Sequence, residues 1–305
     1  MAEIATSSDT SAAIPPGLGL RNRKIDVKFQ LGTGSFGESG YDTVQISGHR
    51  VLAKIVKAGG RSMARLQLRV YGMTLSTMNQ LSTLGMVATW QRRNTVTLLA
   101  GDDSGTSIVF IGTIVNGYAD FQAMPEVAFQ VDAYSGLIEA VKPISASSFP
   151  GTARVDTIMK ALAQQAGLNF ENNGVSGSLN NEYFAGSARE QMLACAEHAN
   201  INWLIDNGTL AIWPKGAPRH GITTQISPST GLVGYPSYTS KGIILKTLFN
   251  PNIRLGDKIN LQSSLQPACG DWVVFNLDHD LEAEMPDGQW FTSMSAARPG
   301  QVVLS

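Results

Sequence analysis

The chain has 305 residues, 43% hydrophobic and only 15% charged, with 23 Lys and Arg against 24 Asp and Glu for a formal net charge of −1. That length exceeds the roughly 100 to 200 residues of one ordinary domain, so two or three domains are expected. The sparse charge suits surface covered in an assembly and supplies no basic field to hold nucleic acid or an acidic membrane. Two cysteines, Cys195 in a helical pattern and Cys269 in a Pro/Gly-flanked loop, build neither a disulfide framework nor a metal knuckle and fit a reducing compartment.

In chain order, Met1 to Gly19 is rich in Ser, Thr, Ala and Pro and lacks the basic and apolar regions of a secretory signal. Residues 1–23 therefore read as a flexible arm. From Lys24 the hydrophobic period is two, as in Ile25, Val27, Phe29, Leu31, then Leu66, Leu68, Val70, then Val127, Phe129, Val131. Such alternation predicts half-buried antiparallel strands. Further strands are expected at Val44–Ile46, Val51–Val56, Thr95–Leu99 and Ile108–Val115, with one short helix over Leu75–Leu84. Residues 24–143 make a first barrel-like β domain on this reading.

The pattern changes after Pro143, through a loop at Ser145 to Gly151. Val155, Ile158, Met159, Leu162, Ala163 and Ala166 then recur at helical spacing, and Gly167 sits where a helix stops in the left-handed conformation. Ser187 to Glu190 has the capping-box spacing that opens a second helix running to Ala199. Asn207-Gly208 predicts a hairpin pairing Ile205 with Leu210 and Trp203 with Ile212. Residues 144–215 thus form a small α+β, helix–helix–hairpin domain.

Strands return at Ile243–Phe249, Ile253–Leu255, Ile259–Leu261 and Trp272–Leu277, and a Pro286-Asp-Gly288 turn leads to Trp290. Residues 216–305 make a second barrel-like β domain, with no obvious sequence repeat of the first. The fold class is mainly β with an α+β insert. No apolar run approaches the roughly 18 residues that span a bilayer, so a soluble protein without a membrane segment is expected.

The loudest motif is Gly32-Thr-Gly34-Ser-Phe-Gly37, which with Val51-Leu-Ala-Lys54 resembles the phosphate loop and lysine strand of protein kinases. No His-Arg-Asp loop and no Asp-Phe-Gly follow, Ser39 stands where the kinase loop has valine, and Tyr41–Ile46 reads as a strand where a dinucleotide fold would open a helix. A glycine-rich turn between strands is the preferred reading, and no cofactor is expected.

Cys195 and His198 lie on one helix face beside Glu197, but a zinc site needs about four ligands, so a packed cysteine next to a surface histidine is expected and no metal. His49 and His220 belong to no nucleophile–base order, and no GxSxG elbow occurs. Asp278, Asp280, Glu282 and Glu284 alternate with His279, Leu281 and Ala283, so all four share one face of a strand. A ladder of four carboxylates suits a solvated outer face, or an acidic stripe along a water-filled channel that keeps DNA from sticking, better than the two-carboxylate cleft of a glycosidase. The five tryptophans, Trp90, Trp203, Trp213, Trp272 and Trp290, mostly alternate with apolar neighbours, as core residues do.

Several longer segments resemble one family. Arg69 to Leu81 is similar to the strand-to-helix junction of baseplate hub proteins of contractile-tailed bacteriophages, and Leu31 to Gly40 to the loop near their start. Gly234–Tyr238, Lys246–Arg254, Leu255–Ile259, Leu277–Glu284 and Gly288–Phe291 follow in the family's order, and the likeness spans about residues 24 to 298. The resemblance implies a non-enzymatic homotrimer whose two tube-like domains per chain join the tail tube to the central spike, with DNA passing through the channel. It also implies a place in the virion's tail baseplate after assembly in the host cytoplasm. Partners would be a tail tube or tube-initiator protein, a separate spike protein, and tape-measure and baseplate wedge proteins. Two other readings stay open: a kinase-like nucleotide-binding enzyme on Gly32–Gly37 and Lys54, and a carbohydrate-binding β module.

Overall fold

The computed structural model describes residues 22–37 and 40–301, so most of the arm expected over 1–23, and Ser39, fall outside the described residues. The first stretch comprises strands β1 (Lys24–Gln30), β2 (Thr43–Ile46), β3 (Val51–Lys57) and β4 (Arg65–Tyr71), helices α1 (Leu75–Leu81) and α2 (Gly85–Arg92), strands β5 (Thr95–Asp102), β6 (Gly105–Asp120) and β7 (Ala128–Tyr134), and helix α3 (Leu137–Val141). The middle holds β8 (Ser147–Arg154), α4 (Val155–Ala166), β9 (Asn169–Asn172), β10 (Ser178–Phe184), α5 (Ala188–His198), β11 (Ile201–Asp206) and β12 (Thr209–Pro214). The last stretch holds β13 (Thr224–Ile226), β14 (Leu232–Thr239), β15 (Gly242–Leu248), β16 (Lys258–Leu261), β17 (Gly270–Ala283) and β18 (Trp290–Ala297).

The protein is mainly β. One 13-stranded sheet runs β14-β15-β18-β17-β3-β4-β7-β6-β5-β1-β2, with β16 beside the first part of β17 and β13 on β16. Among the described residues this ladder does not close into a barrel, and β14 and β2 are its two ends. It curls, however, so that the Arg23 guanidinium ahead of β1 donates to the carbonyl of Gly288 beside β18. Period-two alternation puts Ile25, Val27 and Phe29 of β1 and Leu66, Leu68 and Val70 of β4 into one core, which Leu281 and Ala283 of β17 complete. Ile243, Leu245, Trp272 and Met294 belong to a second core, into which the middle segment sends Trp213.

A topological repeat absent from the sequence pattern links the two ends of the chain. The order β3-β4-β7-β6-β5 recurs as β14-β15-β18-β17-β16. The register irregularity between Ile114 and Asn116 on β6 likewise has a counterpart between Val274 and Asn276 on β17. Bulges re-aim a strand by one residue, and here each falls where the long strand leaves its first partner.

The middle segment packs α4 and α5 on the sheet β11-β12-β9. Helix α4 ends at Gly167, left-handed at φ 77°, and α5 opens with the Ser187–Glu190 capping box. Ile205 faces Leu210 and Trp203 faces Ile212, the expected hairpin register. Contacts to the first stretch are polar and specific. Lys57 Nζ lies 2.9 and 3.0 Å from the two carboxylate oxygens of Asp206, and Arg189 donates to the carbonyls of Gly60 and Arg61 while stacking on Trp203.

Three local expectations change. The helix expected over Leu75–Leu84 is two, because Thr83 exchanges both backbone hydrogen bonds with Gly117 of β6 and leaves the helical path. The loop expected at Ser145–Gly151 is largely strand β8, paired with β10 in a ribbon whose exposed polar side chains carry little alternation. Ile253 and Leu255 are buried, as strand residues would be, but lie in turns where Asp257 accepts from the amide of Arg254.

Candidate functional site

Strand β17 carries the acidic stripe and sits inside the sheet. Asn276–Leu281 pairs with β18 on one edge while Leu277–Ala283 pairs with β3 on the other, so this is no outer strand. Leu277, His279, Leu281 and Ala283 are buried, which turns Asp278, Asp280 and Glu282 to the opposite face. Glu284 does not join them. The strand ends at Ala283, and Glu284 turns away exposed in the left-handed conformation, φ 54°.

Neighbouring strands compensate the three carboxylates. Asp280 stands opposite Lys54, Lys54 opposite Gln67, and Gln67 opposite Asp132, while the next row runs Glu282, Leu52, Arg69, Gln130. Lys54 Nζ is 3.8 Å from Asp280 Oδ1, Arg65 is 2.8 Å from Asp132 Oδ1, and the amide of Gln289 donates to Glu282 Oε2 at 2.8 Å. Together these rows border an open groove of about 310 Å³. The expected ladder of like charges is therefore a mixed face, with Lys54, Arg65 and Arg69 among Asp132, Asp278, Asp280 and Glu282.

Asp278 is half-buried on this face. Burial pushes its carboxyl above the ordinary range, the Lys54 ammonium opposes that shift, and the charge of Asp280 adds to it. Its Oδ1 is buried without a hydrogen-bond partner among the described residues. On the other side of the strand, His279 is an interior residue. It contacts Thr292 Oγ1 at 2.9 Å and the edge of Phe249, and burial, with a smaller push from Lys57, lowers its pKa to about 3.

The kinase-like pieces are not brought together as adjacent strands. The glycine loop joins β1 to β2, with Phe36 folded into the core, and an added Cβ at Gly32 would sit 2.2 Å from the carbonyl oxygen of Arg92. That glycine serves a close backbone approach. Lys54 lies on β3, whose neighbours are β17 and β4, and its ammonium faces Asp280.

The remaining candidates have structural roles. Cys195 is fully buried, its thiol pushed up to about 12 by desolvation, while His198 reaches outward to Glu182 Oε2 at 2.8 Å. Among the described residues no three His, Cys, Asp or Glu side chains cluster as metal ligands, and no helix is long and apolar enough to cross a membrane. His49 contacts the Tyr71 carbonyl, and His220 is exposed beside Gly174. Trp203, Trp213 and Trp272 are core residues, Trp290 packs between Phe249 and Arg23, and the side chain of Trp90 is outside the described set.

The partnership of Lys54 with Asp280 was hidden in the sequence, although alternation with Ala53 and Ile55 already set Lys54 on the polar face. Nothing local says which distant strand lies beside β3.

The model of the baseplate hub gp41 family matches residues 25–293. The chain belongs to that family. Its fold is shared by the 43 kDa tail protein of prophage MuSo2 from Shewanella oneidensis, at 9% identity and a TM-score of 0.60 over 91% of this chain and 99% of that one. A tail protein from Neisseria meningitidis is similar at 9% identity and a TM-score of 0.59, over 92% and 98% of the two chains. An E. coli component of the type VI secretion system, described as structurally similar to the T4 tail proteins gp27 and gp5, aligns at 10% identity and a TM-score of 0.53 over 82% and 73%. Among curated proteins none matches. Family membership supports a structural role in a phage baseplate, and with it a location in the virion tail.

Proposed function

We propose that three copies of this chain form the baseplate hub, an adaptor that joins the tail tube to the central spike and leaves a channel for DNA ejection. The role requires geometry and no catalytic step or cofactor. Residues 24–143 and 216–305 act as two tube-like units, barrel-like in the assembled ring, and residues 144–215 brace them from the side. The carrying observation is the family match over residues 25–293. The repeated strand order gives the reading a physical basis, since two similar units per chain let three chains present six to a tube.

On this reading the face bearing Asp278, Asp280 and Glu282 lines the channel. Its charge balance with Lys54, Arg65 and Arg69 leaves no field strong enough to hold a phosphate backbone, so DNA passes without specific binding. Other contacts are with the tube or tube-initiator protein, the tape-measure protein and the baseplate wedges, after assembly in the host cytoplasm. Quantitative mass spectrometry of purified particles tests the role, counting copies against the tube protein. Three per particle is the expected result; absence from particles overturns the proposal.

A further inference from the structure

From the internal repeat we infer that the outer edge of β14 pairs with the exposed end of β6 on a second copy of this chain. Val273 of β17 pairs with both Lys258 and Ala297, so β16 and β18 flank opposite edges of that strand. Strand β3 then takes the edge that β16 leaves, over Leu277–Ala283.

Strand β6 is the counterpart of β17 and has the same plan. Thr113 pairs with both Thr95 and Tyr134, so β5 and β7 flank its two edges. Past Thr113 the β5 edge is met by Asn94 at Ile114, by the Thr89 hydroxyl at Val115 and by a bridge from Thr83 at Gly117, and among the described residues Tyr118–Asp120 have no ladder partner on that edge. The strand that would fill it is the counterpart of β3, which is β14, and β14 is an end of the sheet.

The surfaces agree with this assignment. Tyr118, Phe121, Met124 and Leu84 are exposed around the end of β6, at 40, 48, 70 and 65%. Val233, Tyr235, Tyr238 and Ile244 are exposed on β14 and its neighbour β15, at 37, 73, 56 and 44%. From Gly221 to Ser240 no residue is charged. Pro236 and the register irregularity between Val233 and Ser237 interrupt the first half of β14, so its regular free edge is Ser237–Thr239, where an uncharged stretch with exposed tyrosine suits a protein contact. Because β14 and β6 are different surfaces, the contact is head-to-tail, and a closed ring satisfies every copy.

The repeat also sets the register. Lys54 and Ser237 hold equivalent places, opposite Gln67 and Ile244, and Asp280 and Asp120 each lie four residues past the bulge asparagine. Since Asp280 pairs with Lys54, Asp120 of one copy pairs with Ser237 of the next, and Tyr118 with Thr239.

The contact rests on the hub reading only in requiring that copies associate. The test is oxidative cross-linking of the full chain carrying Asp120→Cys and Ser237→Cys in a Cys269→Ser background, read on a non-reducing gel beside mass photometry. The expected result is a ladder of covalent multimers from the double variant and none from either single variant. Exposed Tyr238→Asp, which leaves the fold intact, is expected to shift the wild-type multimer toward monomer. A wild type that is multimeric but gives no cross-link overturns this contact and leaves the hub reading standing. A chain that is monomeric and uncross-linked at micromolar concentration overturns the contact and the trimer together, and cross-linking by Ser237→Cys alone replaces it with a two-fold β14–β14 pairing.

Discussion

Removing Asp206 leaves the Lys57 ammonium in a protein interior with nothing to balance it. The two side chains are 9 and 16% exposed, and the ammonium is within 3.0 Å of both carboxylate oxygens. Breaking a buried pair from one side costs about 3 to 5 kcal/mol, and the residual exposure of Asp206 argues for the lower end, about 3 kcal/mol. For a chain of this size that corresponds to a fall in melting temperature of about 6 to 12 °C. Asp206→Ala is therefore expected to lower both the melting temperature and the urea midpoint. Lys57→Met combined with Asp206→Leu should recover stability to within about 1 kcal/mol of wild type, because no charge is left stranded. A loss of less than about 0.5 kcal/mol in Asp206→Ala, or a double variant as unstable as the single one, would show that no stranded charge sets the stability here.

Three further outcomes follow from the same geometry. Burial holds the folded imidazole of His279 at about 3, below the ordinary value near 6.5, so its neutral form contributes stability above about pH 6.5 that is lost as pH falls toward 3; His279→Gln should flatten the urea midpoint against pH over that window. Ser187→Ala removes the capping hydroxyl of α5 and should cost about 1 kcal/mol in chemical denaturation, with the family of contacts around Lys57 unaffected. Ile158→Ala, at a fully buried position in the α4 core, should cost about 2 to 5 kcal/mol, and a smaller loss in the same assay would mean that the core collapses around the gap.

Elements held together by near neighbours were legible in the chain. The capping box at Ser187, the left-handed stop at Gly167 and the Asn207-Gly208 hairpin each need only a few consecutive residues, and all three stand as read. Strands β8 and β10 were missed because both faces of their ribbon are largely exposed, which erases the period-two signal. The acidic stripe was read correctly as alternating, but its end at Ala283 and its neutralising partners were not visible, since Glu284 turns on its own backbone angle and Lys54 arrives from a distant strand.

The sequence by itself determined the class of the fold, the polar face of each alternating strand and the family, because hydrophobic period and local turn chemistry are written along the chain. Only the tertiary structure decided that β17 joins β3, that the kinase-like lysine faces a carboxylate instead of a nucleotide loop, and that one strand order occurs twice. Those facts depend on which edge meets which, and a strand's side-chain pattern specifies the face it buries while its backbone groups, the same at every residue, do not name the neighbour they bond.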